Sequence, residues 1–168
     1  AVDHGNEHWT LAGILEQSSN VGMVIAGDKM TNEQRYNFIS KFGIGQATGL
    51  NLPGESEGVL HPSDSWDRRT RNTVLFGQGY TVNVMQLTNA VSVIANKGVK
   101  KPQRIIKSIT DTAGHVEEQQ PKGEATRVID ESVASQMLNA MESSAEHYNT
   151  FVKVDGYRMA AKSGTADR

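Results

Sequence analysis

Gly156-Tyr157-Arg158-Met159-Ala160-Ala161-Lys162-Ser163-Gly164-Thr165-Ala166 is the stretch around which the chain reads as organised. Tyr157, Met159 and Ala161 alternate with Arg158 and Ala160, which predicts a strand over 157–163 with one buried face. Gly164 has no side chain, so the backbone of another molecule can lie close against that strand. An edge strand so placed can pair with an extended, peptide-like ligand. Lys162 offers a positive charge to a carboxylate, and Ser163 and Thr165 offer hydroxyl donors beside it. The plainer reading is a surface strand that ends in a polar turn.

Composition sets the bounds. At 168 residues the chain suffices for one domain with a sizeable core, taken here as residues 1–168. Hydrophobic content of 37% and charge of 21% place it on the polar side of ordinary globular sequences. The net charge is −2 and the basic residues are dispersed, so no nucleic-acid footprint is present. The absence of cysteine excludes disulfides, thiolate catalysis and Cys-ligated metals, and it suits an exported protein. The longest apolar stretch, Val21 to Ala26, is far too short to span a bilayer, and no signal peptide is recognisable. Any membrane anchor is therefore expected outside this chain.

Two polar breaks frame the rest. Thr10 is a plausible N-cap for a helix with Leu11, Ile14 and Leu15 at helical spacing. That helix runs into Ser18-Ser19-Asn20, short polar side chains that favour caps over helix interiors. Val21, Val24 and Ile25 begin a second helix at once, with Ser19 or Asn20 as its simplest N-cap. Ser18 and Asn20 thus sit at a hand-over between helices, free to point into a cleft. His4, Glu7 and His8 have a metal-like spacing, but Gly5 and Asn6 disfavour helix there and no further ligand stands out, so no metal site is assigned.

Thr31 and Gln34 form a capping-box pattern for a helix that stops at Gly43. Residues 43–72, rich in Gly and Pro, read as a long loop that should be poorly packed. Thr81 is expected to cap a strongly apolar helix over 82–97, the candidate central buried helix. Gln103 to Thr110 reads as a strand, Asp111 to Gly114 as a turn, and His115 to Gln119 as the returning strand. Asp130 should cap a helix through Glu146. The fold class is α+β, a helical cluster packed on a small antiparallel sheet that includes 157–163.

Ser18-Ser19-Asn20 and Lys162-Ser163-Gly164-Thr165 are each weak motifs alone. Between them, in order, stand Phe42-Gly43-Ile44-Gly45, Thr48-Gly49, Leu52-Pro53-Gly54-Glu55, Phe76-Gly77-Gln78-Gly79 with Gln86, and Ala95-Asn96-Lys97-Gly98. In this series the chain resembles the transpeptidase domain of class B penicillin-binding proteins over nearly its whole length. The resemblance implies a serine acyltransferase, without cofactor, anchored at the cell membrane and acting on its outer side. Its substrate would be the D-Ala-D-Ala end of a peptidoglycan stem peptide, with β-lactams as acylating mimics. Partners would be the remainder of the parent protein and a glycosyltransferase or other division or elongation proteins. By the same resemblance Ser18 relays a proton and Asn20 hydrogen-bonds a substrate amide. Lys162 faces the substrate carboxylate, Ser163 and Thr165 donate to it beside Gly164, and the Thr165 N–H forms half an oxyanion hole. One such donor is worth about 10²–10³ in rate.

The family's nucleophile lies in an S-x-x-K motif upstream of the S-x-N triplet, and no Ser here has Lys three residues on. The resemblance therefore implies an interior piece that lacks the nucleophile and the final strands, and that is inactive by itself. Two other readings remain. Gly54-Glu55-Ser56-Glu57-Gly58 is formally a G-x-S-x-G nucleophile elbow, which would make the chain an α/β-hydrolase esterase acting through Ser56. A penicillin-binding-protein-like module that only binds peptides or partners would keep the fold and lose the chemistry.

Overall fold

The structure, a computed structural model, describes residues 8–147 and 153–164. Readings that fall on His4, Glu7, Thr165 and Ala166 lie outside the described residues. The fold is α+β, with six α-helices and two small antiparallel sheets among the described residues.

Helix α1, Leu11–Glu16, is capped by the Thr10 hydroxyl, which accepts from Gly13 N at 3.2 Å. Its far end is a Schellman motif: Ser18 N donates to Leu15 O at 3.2 Å and Ser19 N to Ile14 O at 3.0 Å. The residue that turns the chain in such a motif is usually glycine, yet here it is Ser18 at φ 53°. Ser19 then caps α2, Asn20–Gly27, by accepting from Gly22 N at 3.1 Å. A Cβ at Gly22 would stand 2.9 Å from the Ile14 side chain, so the missing side chain lets α1 and α2 cross closely.

The Thr31–Gln34 capping box opens α3, Asn32–Lys41, as expected. Arg35 on α3 is buried; it donates to Gly27 O at 2.8 Å and also to Arg71 O, tying the end of α2 to the short helix α4, Thr70–Thr73. Helix α5, Val84–Ala95, is capped by Asn83 in a capping box with Gln86, and not by Thr81. Thr81 is used elsewhere: its backbone bridges Val59, and its hydroxyl accepts from Val59 N at 2.9 Å. Helix α5 packs on α6, Glu131–His147, and on β1, Val99–Lys100. It buries Gln86 and Val93 but leaves Val84, Leu87 and Val91 exposed, so it is central in position and covered on one side only.

Strand β1 pairs antiparallel with β4, Thr126–Arg127, a pairing the sequence pattern did not indicate. The hairpin is as read but shorter: β2, Ser108–Thr110, pairs with β3, Val116–Glu118. Its turn is fixed by Asp111, whose Oδ1 accepts from Ala113 N and His115 N, both at 2.9 Å.

Two further expectations need correction. Residues 157–163 form no strand, because a strand needs a neighbour and no described segment runs alongside them. The glycine-rich stretch 43–72 is not poorly packed: Ile44 and Trp66 are among the most buried side chains, and Trp66 Nε1 donates to His61 O at 2.9 Å. Gln86 fastens the same loop to α5, donating to Gln46 O and Glu57 O, both at 2.7 Å.

Leu11, Val21 and Ile25 on the first two helices are each at least 70% exposed.

Candidate active site

The two polar motifs at opposite ends of the chain meet. Lys162 Nζ donates to Ser18 Oγ at 2.9 Å across 144 residues of sequence. The same ammonium donates to Ser163 O at 2.8 Å and reaches Ser163 Oγ at 3.4 Å. These partners are neutral oxygens, so among the described residues no anion balances the charge. Partial burial lowers the Lys162 pKa from the ordinary lysine value. A cation with only neutral partners can pair with an anion, and its partial burial favours the neutral form.

Ser18 owes its orientation to the left-handed turn at the end of α1. Its oxygen accepts from Lys162, which leaves its own proton to be given elsewhere. Asn20, the first residue of α2, is exposed and its side chain makes no hydrogen bond among the described residues. Ser163 and Gly164 are exposed, and among the described residues a Cβ at Gly164 would meet nothing within 4 Å. The face beside Lys162 is therefore open to an approaching backbone. The structure brings Ser18, Lys162 and Ser163 into contact, with Asn20 two residues from Ser18 and Gly164 next to Ser163; Thr165 is outside the described residues.

Helix α6 is the part of the site that sequence reasoning missed. Ala161 N donates to Met141 O at 3.0 Å, just before Lys162. Arg158 grips Glu142 with two donors, Nε reaching Oε1 at 2.6 Å. That contact holds the Glu142 carboxyl below its ordinary pKa and raises Arg158. Ser143 Oγ donates to Glu16 Oε2 at 3.1 Å, on the last residue of α1. No local spacing signals these links, since their partners lie 16 and 127 residues away.

Ser56 is not on a nucleophile elbow. No strand precedes it and no helix follows; its hydroxyl accepts from Gly58 N at 3.2 Å, a local loop bond. The Glu55 carboxylate beside it accepts from Thr48 N at 2.9 Å, and its pKa is lowered by the Thr48 hydroxyl first and by that backbone bond second. The esterase reading lapses. Among the described residues no group of His, Asp or Glu could hold a metal ion, and no helix is long and apolar enough to cross a membrane.

Comparison with known proteins adds independent findings. A family model described as the penicillin binding protein transpeptidase domain matches residues 1–168. The chain is 36% identical over 176 residues to penicillin-binding protein PbpB of Mycobacterium tuberculosis, covering 100% of this chain and 26% of the relative. It is 34% identical over 161 residues to the peptidoglycan D,D-transpeptidase FtsI of Escherichia coli, covering 95% of this chain and 26% of FtsI. It therefore spans about a quarter of the length of the curated relatives it matches. Among solved structures, a peptidoglycan synthetase from Bifidobacterium adolescentis superimposes with a TM-score of 0.93 at 99% identity, covering 99% of this chain and 31% of that one. Penicillin binding protein 3 from Mycobacterium tuberculosis, complexed with ampicillin, gives a TM-score of 0.80 at 32% identity, covering 95% of this chain and 34% of that one.

Proposed function

Because the chain belongs to the penicillin binding protein transpeptidase domain family, we propose that it forms part of the catalytic domain of a serine-type peptidoglycan D,D-transpeptidase. The observation that carries this reading is the 2.9 Å bond between Lys162 and Ser18, which assembles a cationic, hydroxyl-lined site from the two ends of the chain.

Lys162 pairs with the terminal carboxylate of a D-Ala-D-Ala stem peptide, and Ser163 and Thr165 donate to the same group. Asn20 hydrogen-bonds an amide of the stem, and Gly164 leaves room for its backbone. A serine from the longer protein attacks the carbonyl of the penultimate D-Ala, forming an ester and breaking the peptide bond. The departing D-Ala amine needs a proton, which Ser18 passes on; an amine from a neighbouring stem then takes the acyl group. A β-lactam enters as a mimic with its ring amide in the same place. The parent would be anchored in the cell membrane with this domain on the outer side, working beside glycosyltransferase and division or elongation proteins.

Intact-mass spectrometry after incubation with a penicillin tests the proposal. The longer protein should gain one equivalent of penicillin, while the 168-residue chain, which has no S-x-x-K, should gain none. A longer protein that takes up no penicillin would leave only peptide binding. Penicillin bound covalently to any serine of these 168 residues would overturn the assignment of the nucleophile.

A further inference from the structure

We propose that one turn of α6, Met141-Glu142-Ser143, is the bracket that sets the distance between Lys162 and Ser18. Successive helix residues point about 100° apart, so a single turn can grip segments on different sides of itself. Met141 O holds Ala161 N at 3.0 Å, and the Glu142 carboxylate holds the Arg158 guanidinium, Nε at 2.6 Å. Ser143 Oγ holds Glu16 Oε2 at 3.1 Å, two residues before Ser18, while His147, one turn further along, brings Nδ1 to 3.6 Å from Glu16 Oε1.

Among the described residues, the hydrogen bonds that leave 153–164 go to Met141, to Glu142 or to Ser18. Without α6, the Lys162–Ser18 bond would have to hold the segment by itself. Arg158 is 82% exposed at its side chain, so its pair with Glu142 adds little to global stability. Its effect is on geometry, because this segment has few other ties. Glu142, Arg158, Ser143 and Glu16 are thus positioning residues that act through Lys162 and Ser18.

This inference rests on the transpeptidase reading, so its test has one arm that does not. In a longer protein such as the 99%-identical Bifidobacterium adolescentis peptidoglycan synthetase, Glu142→Ala and Ser143→Ala are compared with the unaltered protein. Hydrogen exchange is followed by mass spectrometry in peptides covering 157–164 and 14–19. Glu142→Ala should speed exchange in 157–164 only, and Ser143→Ala in 14–19 only. Penicillin acylation is measured alongside, separated into the non-covalent dissociation constant and the acylation rate constant. Each variant should lower the rate constant about fivefold at unchanged Tm, with the double variant losing less than the product of the two, because both act on the one Lys162–Ser18 distance. The charge-reversed pair Glu142→Arg with Arg158→Glu should restore the rate that Glu142→Ala loses. Unchanged exchange in either variant, a rate loss that only tracks Tm, or a charge reversal without rescue would overturn the bracket. If the unaltered protein is not acylated at all, the transpeptidase reading fails, and the exchange arm alone decides the bracket.

Discussion

Residues 43–81 and 153–164 both contain little regular structure, yet they are held in different ways. The first is fastened from inside: Ile44, Trp66 and Val74 are buried, Val59 and Thr81 exchange backbone bonds of 3.2 and 2.9 Å, and Gln86 bonds two of its carbonyls. The second buries no side chain and reaches the body through Met141, Glu142 and Ser18. What fixes a segment is where its polar backbone and apolar side chains find partners, and glycine content says little about that. The Lys162 side of the candidate site therefore lies in the loosely tied region.

The largest effect should come from breaking the firm region. Gln86→Leu keeps the side chain's bulk but strips the carbonyls of Gln46 and Glu57 of their donor, and Asn83 N of its acceptor. The three stripped groups are only part-buried, so each costs toward the low end of about 1–3 kcal/mol, and roughly 3 kcal/mol should be lost. Denaturant unfolding of the longer protein measures it, and proteolysis should appear within 43–58. Removing Arg158 should leave the unfolding midpoint almost unmoved. If both changes cost the same, the contrast between the regions is false.

A smaller effect should separate strain from chemistry at Ser18. An L-residue in the left-handed conformation pays about 1–2 kcal/mol, which glycine avoids at some cost in unfolded-state entropy. At φ 53°, Ser18→Gly should therefore be more stable than Ser18→Ala by about 1 kcal/mol. Neither variant has the hydroxyl, so both should acylate slowly. Equal stability of the two would mean that the turn is not strained. If Ser18→Gly kept full acylation, the proton relay would be gone.

The local elements of this fold were legible in the sequence because their causes are local. Thr10, Thr31 with Gln34, and the Asp111 turn each satisfy backbone donors within four residues, and the side-chain chemistry announces it. The meeting of Ser18 with Lys162 was implied by the family resemblance and not by spacing. What stayed hidden depends on distant partners: the β1–β4 pairing, Gln86 as a fastener of the loop, and the α6 bracket. The alternation over 157–163 is real, but alternation marks a face for burial and supplies no neighbouring strand. Likewise the apolar side chains of α5 and α2 carry the pattern of a covered surface, and Val84, Val21 and Ile25 remain at least 70% exposed.

The finest effect concerns the charge that the loosely tied region presents. Burial lowers the Lys162 pKa, so its folded value lies below the unfolded one of about 10.4. Between those two values the unfolded chain binds more protons, so this residue's unfavourable contribution is relieved as pH rises through that window. Carboxylate binding runs the opposite way, because it needs the ammonium. Affinity for a D-Ala-D-Ala peptide should be flat near neutrality and fall about tenfold per pH unit once pH passes the ligand-free Lys162 pKa, earlier than for a solvated lysine. Lys162→Arg should carry the plateau to higher pH, since guanidinium stays charged beyond about pH 12. Glu142 marks the other limit: its pKa is lowered by Arg158, so the stabilisation from that pair is present above about pH 4.3 and lost as pH falls through the depressed value. Calorimetric titration of the longer protein across the alkaline range, against Lys162→Ala as a flat control, reads the first limit directly. An affinity that does not fall before the pKa of a solvated lysine would mean that Lys162 is not the group that meets the carboxylate.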